Sequence, residues 1–339
     1  MRRYNRPIME LLQPDAPGID RAARALAGGL LVAIPTETVY GLGANAFDAV
    51  AVARVFEVKR RPGFDPLIVH IADISGLALV ASFPNALAER LAEAFWPGPL
   101  TLILPRTPRV PALVTSGLDT VAVRMPAHPV ARAIIRAAGV PVAAPSANPF
   151  GYLSPTRAEH VVRMLGDAID FVVDGGATDI GVESTVLDVT GERPLILRPG
   201  GLPRAAIEAV VGPVDLVDRV SETPTSPGQL ASHYAPRASL HLVAEGALPD
   251  ASIGEGEGLV FFSEASRAAY RARRGSCGPR VTERILSPGG DLREAAAALF
   301  VVLHELDEAG VAGIWAERVP AEGLGLAVND RLWKASTKQ

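Results

Sequence analysis

The runs Ile169-Asp170-Phe171-Val172-Val173, Thr185-Val186-Leu187-Asp188-Val189 and Leu195-Ile196-Leu197 place three apolar strands in succession, with no helical stretch between them. Upstream, strands at 30–34, 67–71, 101–104, 120–125 and 142–144 alternate with helices. Asp20 is read as the cap of a helix over 21–26 that Gly28-Gly29 stops, and Asp48 as the cap of one reaching Val58. Pro84 opens a helix ending near Trp96, and another covers 130–138. Thr156-x-x-Glu159 reads as a capping box for a helix to Leu165. Helices in one half and bare strand succession in the other give a mixed α+β domain and not a doubly wound parallel sheet.

Residues 212–237 hold Pro213, Pro224, Pro227 and Pro236 with little periodicity, the signature of a linker. Beyond it, strands at 239–243, 259–262, 281–285 and 311–314 alternate with helices over 264–273 and 292–308, a small open α/β, Rossmann-like domain. The expected organisation is therefore a first domain over 1–211, a linker or lid over 212–237 and a second domain over 238–339.

The 339 residues contain 48% hydrophobic and 21% charged side chains, an ordinary globular balance. The formal charge of −4 lies wholly beyond residue 210, because residues 1–210 carry 20 basic and 20 acidic side chains. No uncharged apolar run of about 18 residues is present. The basic start, Met1 to Arg6, leads into an acidic, proline-bearing stretch with no apolar signal core. A single cysteine, Cys277, excludes an internal disulfide and a multi-cysteine zinc site. A cytoplasmic protein is expected. Only Lys59, Lys334 and Lys338 are lysines, and the last two are read as a frayed tail, so Lys59 is the lone lysine before it.

The chemistry-bearing motifs sit at strand ends, and each has a plain alternative. Pro35-Thr36-Glu37-Thr38-Val39-Tyr40-Gly41-Leu42-Gly43 offers hydroxyls and a carboxylate before a close backbone approach, or simply a capped turn. Gly41-Leu42-Gly43-Ala44-Asn45-Ala46 matches a dinucleotide fingerprint, but Pro35–Tyr40 separates it from its strand, and no P-loop is present. Lys59-Arg60-Arg61-Pro62 closes a helix as a polyphosphate clamp or as ordinary dipole-complementing charge. In the strand at 120–125, Thr120, Ala122 and Arg124 share one face, facing inward or toward solvent. Ser146 and Asn148 make a small polar loop or a turn, and His70 is a site residue or a satisfied core histidine.

Taken together and in this order, these motifs, with Pro66-Leu67-Ile68-Val69-His70 and Glu183-Ser184-Thr185-Val186, resemble the YrdC-type domain. Ser226-Pro227-Gly228-Gln229-Leu230-Ala231-Ser232-His233-Tyr234-Ala235-Pro236 resembles the linker of the family's long, two-domain form. The resemblance implies a twisted mixed sheet with flanking helices. It also implies a nucleotidyltransferase making threonylcarbamoyl-AMP from L-threonine, bicarbonate and ATP, with diphosphate and water released. The product would supply the threonylcarbamoyl group for adenosine in tRNA through a downstream transfer enzyme. Carried over residue by residue, threonine is held by Thr38, His70, Arg124, Ser146 and Ser184. ATP is held by Lys59, Arg61, Asp65, Thr120, Asn148, Thr156, Arg198 and Tyr234, with Lys59 and Arg61 as the catalytic pair. Mg²⁺ would arrive on the ATP phosphates, since no carboxylate cage is legible. Tyr234 suggests that the linker closes over the pocket as a lid. An RNA-binding role beyond weak tRNA contact is disfavoured by the neutral first domain and the lack of an aromatic stacking series. The carbamoyl-transfer class that shares this domain would need cysteine-rich zinc motifs, which one cysteine cannot supply.

Overall fold

The computed structural model describes residues 9–217, 226, 228–230, 233–248, 253–274 and 280–337. The basic start, Cys277, Lys338 and much of the linker over 218–232 lie outside the described residues. In chain order the first part contains β1 (Glu10–Leu12), α1 (Ala16–Ala27), β2 (Val32–Ile34), β3 (Gly41–Asn45), α2 (Ala49–Lys59), β4 (Ile68–His70), α3 (Ala86–Phe95), β5 (Leu100–Pro105) and β6 (Thr120–Arg124). It continues with α4 (Pro129–Ala138), β7 (Val142–Ala143), α5 (Ala158–Leu165), β8 (Phe171–Val173), β9 (Thr185–Asp188), β10 (Leu195–Arg198), α6 (Arg204–Val211) and β11 (Asp215–Leu216). Among the described residues these strands form one sheet, ordered β1-β8-β2-β3-β7-β4-β6-β5-β9-β10-β11. Pairing is mixed: β4–β6 and β5–β9 are parallel, whereas β5–β6 and β9–β10 are antiparallel. The consecutive strands near 170–198 do not stay together. β8 joins the β1–β2 side while β9 and β10 extend the other.

Local chemistry explains where helices begin and end, and corrects three expectations. Asp15, not Asp20, caps α1: its carboxylate accepts from the Gly18 N–H at 2.9 Å, and Pro17 occupies the first turn. Asn85, not Pro84, starts α3 by accepting from the Ala88 N–H. Thr156 and Glu159 form no capping box. Arg157 occupies the cap position of α5 without a side-chain bond, while the Thr156 N–H donates to Nδ1 of His160 at 3.3 Å and its hydroxyl turns inward. Asp48 does cap α2, and Arg60 ends it in the left-handed region at φ 52°. The Gly41–Asn45 segment, where no strand is read from the sequence, is the strand β3. Its glycines carry no side chain into a tight layer, where a Cβ on Gly43 would meet Val142 and the Val32 carbonyl at 3.0 Å.

The second part holds β12 (Ser239–Val243), β13 (Gly258–Phe261), α7 (Glu264–Arg274), β14 (Thr282–Ile285), α8 (Leu292–Glu308), β15 (Gly313–Glu317) and α9 (Gly325–Ser336). Its four strands are parallel in the order β12-β15-β13-β14. α9 replaces the expected frayed tail: Lys334 lies within it and is buried. The core of this lobe also takes in Val39, Leu153, Val182 and Tyr234, which pack with Leu299, Phe300 and Val328. Burying such side chains is worth about 1.5–3 kcal/mol each, so the lobe docks through a shared core.

Candidate active site

Arg124 ends β6 on the face opposite Val121 and Val123, which sit in the main core. It is therefore the inward arginine of the two alternatives, only 3% exposed. Its Nη1 donates to the Thr38 hydroxyl at 2.8 Å, its Nε to the Gly98 carbonyl at 3.2 Å, and its Nη2 pairs with Glu37 at 2.7 Å. Burial pushes the Glu37 carboxyl up, but the guanidinium outweighs it and holds Glu37 ionised, below the usual range. Thr38 is set by a turn in which Oγ1 of Thr36 lies 2.9 Å from Oγ1 of Thr38 and donates to the Val39 carbonyl at 2.6 Å. His70 lies beside Arg124 in the parallel β4–β6 register. Burial and then Arg124 push its imidazole down to about 3, leaving it neutral, and Nδ1 has no hydrogen-bond partner among the described residues.

A second cluster lies at the ends of β9 and β10. The Ser184 hydroxyl is 2.7 Å from Oγ1 of Thr101. Arg198 Nη2 donates to the Ser184 carbonyl at 2.9 Å and to its hydroxyl at 3.2 Å. The linker strap covers this arginine. Gly228, at φ 84°, comes so close that a Cβ there would lie 2.9 Å from Arg198 Cδ and 2.8 Å from the Tyr234 hydroxyl. Tyr234 is buried at φ 62°, with the Arg331 guanidinium 5.0 Å from its ring centroid and the His233 ring 4.1 Å away. Burial and then Glu183 push its phenol up to about 12, so it stays a neutral donor.

The third cluster gathers the lysine and arginine after α2. Lys59 is buried, and its Nζ donates to the carbonyls of Ser146 at 2.6 Å and Asn148 at 2.5 Å. Burial and then Arg61 push this ammonium well below its ordinary pKa. Arg61 donates to the carbonyls of Asp65 (2.9 Å) and Pro66 (2.8 Å) and pairs with the Asp65 carboxylate at 2.8 Å. Asn148 Nδ2 donates to the carbonyls of Pro149 and Tyr152, both at 2.9 Å. Asn148 Oδ1 and Thr156 Oγ1 are buried with no hydrogen-bond partner among the described residues.

One cavity is lined by residues from all three clusters. Thr38, Arg61, His70, Arg124, Ser146, Ser184, Arg198 and Tyr234 all stand on its wall. Lys59 and Asp65 lie behind the wall, touching Ser146 and Arg61 respectively. Asn148 and Thr156 lie outside the wall, as does Thr120 at the far end of β6 from Arg124. Sequence reasoning missed Glu37 as the partner of Arg124, although it stands inside a quoted motif. It also missed Glu183, whose Oε2 accepts from Arg331 Nε at 2.7 Å, a pairing 148 residues apart that leaves no local signal.

The mixed sheet thus places a cationic, hydroxyl-rich cavity beside Gly228, His233 and Tyr234 of the strap, an arrangement suited to a small anionic ligand. The Sua5/YciO/YrdC family model, described as telomere recombination, matches residues 24–200, and that of the threonylcarbamoyl-AMP synthase C-terminal domain matches 202–337. The threonylcarbamoyl-AMP synthase of Pyrococcus abyssi is 46% identical over 319 residues, covering 93% of each chain. That of Bacillus subtilis is 44% identical, covering 99% of this chain and 97% of its own. The crystal structure of P. abyssi Sua5 complexed with L-threonine superposes with a TM-score of 0.87 at 42% identity, covering 97% of this chain and 98% of that one. The chain belongs to the threonylcarbamoyl-AMP synthase family, in its long two-domain form. Among the described residues no helix is long and apolar enough to cross a membrane.

Proposed function

We propose that this enzyme joins L-threonine, bicarbonate and ATP into threonylcarbamoyl-AMP, releasing diphosphate and water. The threonine amine condenses with bicarbonate, losing water, and a carbamate oxygen attacks the α-phosphorus of ATP. The bond to the bridging oxygen breaks, and its electrons leave with diphosphate. Such a step needs positioning and charge stabilisation more than general acids, and the cavity is built that way. Arg124 receives the threonine carboxylate, with Thr38, His70, Ser146 and Ser184 around the rest of the amino acid. Arg61, Arg198 and Tyr234 face the nucleotide, with Lys59, Asp65, Thr120, Asn148 and Thr156 assigned to the same half. Mg²⁺ enters as part of the ATP substrate. The enzyme works in the cytoplasm and feeds a transfer enzyme acting on tRNA, which it contacts weakly at most.

The observation that carries this reading is one cavity holding a carboxylate-ready arginine beside a neutral histidine together with two further buried arginines. A relative crystallised with L-threonine supports it. The strap bearing Gly228, His233 and Tyr234 serves as a lid that keeps water from the mixed anhydride. Tyr234→Ala is expected to weaken ATP binding and shorten the lifetime of the intermediate. Diphosphate release from ATP is expected to require both L-threonine and bicarbonate. Release indifferent to threonine would overturn the proposal.

A further inference from the structure

We infer that Glu37 is a positioning residue that sorts the anions in the cavity, keeping the Arg124 end for a single carboxylate and turning polyphosphate toward the Arg61 and Arg198 end. The inference rests on the proposed reading of that cavity. Glu37 and Arg124 are both buried and pair at 2.7 Å. Arg124 stands on the cavity wall and Glu37 does not, so the carboxylate acts on a ligand through the guanidinium. Both partners are fixed by their own segments. The Glu37 carbonyl accepts from the Ile180 N–H at 2.9 Å, and Oγ1 of Thr36 accepts from the N–H groups of Thr38 and Val39, each at 3.2 Å. Arg124 is held through the Thr38 hydroxyl on Nη1 and the Gly98 carbonyl on Nε.

The two ends of the cavity differ in their balance of charge. At the threonine end one cation, Arg124, faces one anion, Glu37. At the other end Arg61 pairs with Asp65 at 2.8 Å and Arg331 with Glu183 at 2.7 Å, and Arg198 brings a further cation. A buried guanidinium with no counter-charge beside it attracts every anion, and most strongly the one of greatest charge. Diphosphate and the phosphates of ATP carry several negative charges, whereas threonine carries one carboxylate offset by its ammonium. Glu37 cancels most of the long-range field of Arg124 and repels a polyanion. The short hydrogen bonds that a carboxylate makes to the fork survive this. Specificity often rests on such a repulsive group set against the wrong ligand. Removing the charge of Glu37 therefore opens the threonine end to phosphate more than it weakens threonine itself.

Glu37→Gln in the full-length chain keeps the side-chain length and an oxygen that can accept from Arg124 Nη2, and removes the charge. Calorimetry measures L-threonine binding without and with diphosphate, beside steady-state turnover at rising ATP. In the wild type, diphosphate is expected to leave the threonine dissociation constant within about twofold. In Glu37→Gln, threonine alone is expected to bind within about threefold of wild type, with diphosphate now competing at a constant at least about tenfold below the wild-type one. Excess ATP is expected to inhibit that variant in competition with threonine. Glu37→Asp, which keeps the charge, is expected to restore the resistance to diphosphate. Weakened threonine binding in Glu37→Gln with no new competition from diphosphate would mean a merely structural role and overturn the inference. Diphosphate displacing threonine from the wild type would overturn it equally, and this result needs no variant that folds. Threonine-independent diphosphate release by the wild type would instead sink the functional reading, and the competition between diphosphate and threonine would still judge the sorting.

Discussion

Arg124 and Lys59 show what single side chains contribute. Arg124 has a fork already half committed to Thr38 and Glu37, and a threonine carboxylate would take the donors turned to the cavity. Arg124→Lys keeps the charge and loses the fork. It is expected to raise the threonine KM by about tenfold to a hundredfold and leave that for ATP near wild type, as initial-rate kinetics in each substrate will show. Lys59 was legible as unusual from the sequence, being the lone lysine before residue 334. The structure shows its buried ammonium donating to two carbonyls of the Ser146–Asn148 loop, behind the cavity wall. Lys59→Arg is expected to cost about tenfold or more in kcat/KM for ATP, and full activity would mean that only charge is required there. Lys334 misled for the same reason that Lys59 informed. A lysine near a chain end looks solvated, and nothing local tells that Gly228, 106 residues away, awaits it.

Elements were legible where periodicity and caps agree, as in α2 with Asp48, α8, and the alternation in β6 that puts Arg124 inward. They were not legible where tertiary packing overrides propensity. β3 is built from Gly41-Leu42-Gly43, a poor strand sequence that works because its neighbours leave no room for a Cβ. The start of α5 is fixed by His160 and not by a Thr–Glu box, which frees the Thr156 hydroxyl for the interior. The strap was legible as a proline-bearing linker, while its closure depends on Gly228. Gly228→Ala would impose a Cβ at positive φ against both Tyr234 and Arg198. The expected outcome is a loss of ATP affinity of at least about tenfold with a Tm change of only a few degrees, checked by calorimetry and thermal melting. Wild-type affinity in that variant would place the strap elsewhere during turnover.

Across the whole molecule, the two lobes meet around a pair of histidines, one from each. The rings of His160 in α5 and His304 in α8 lie 4.0 Å apart at a tilt of 31°, and His304 Nε2 lies 3.2 Å from the Ser154 carbonyl. Burial, and for His160 also its neighbour His304, pushes these imidazoles down to about 3 and about 4. In the unfolded chain such groups take up protons near pH 6.5. Stability from them is therefore complete above about pH 6.5 and is lost as pH falls from there toward 4, by up to about 1.4 kcal/mol per pH unit for each histidine. His304→Gln, which can still donate to Ser154, is expected to reduce the pH slope of unfolding free energy between pH 6.5 and 5 by about one proton. Urea titrations giving an unchanged slope would contradict this.

Residues of all three clusters line one cavity, and the proposed product would unite carbon from bicarbonate, threonine and adenylate. The most direct measurement follows ¹⁴C from labelled bicarbonate into threonylcarbamoyl-AMP alongside diphosphate. One labelled product per diphosphate is expected, with neither formed when threonine or ATP is withheld. Diphosphate accumulating while the nucleotide product stays unlabelled would contradict the assignment of the site.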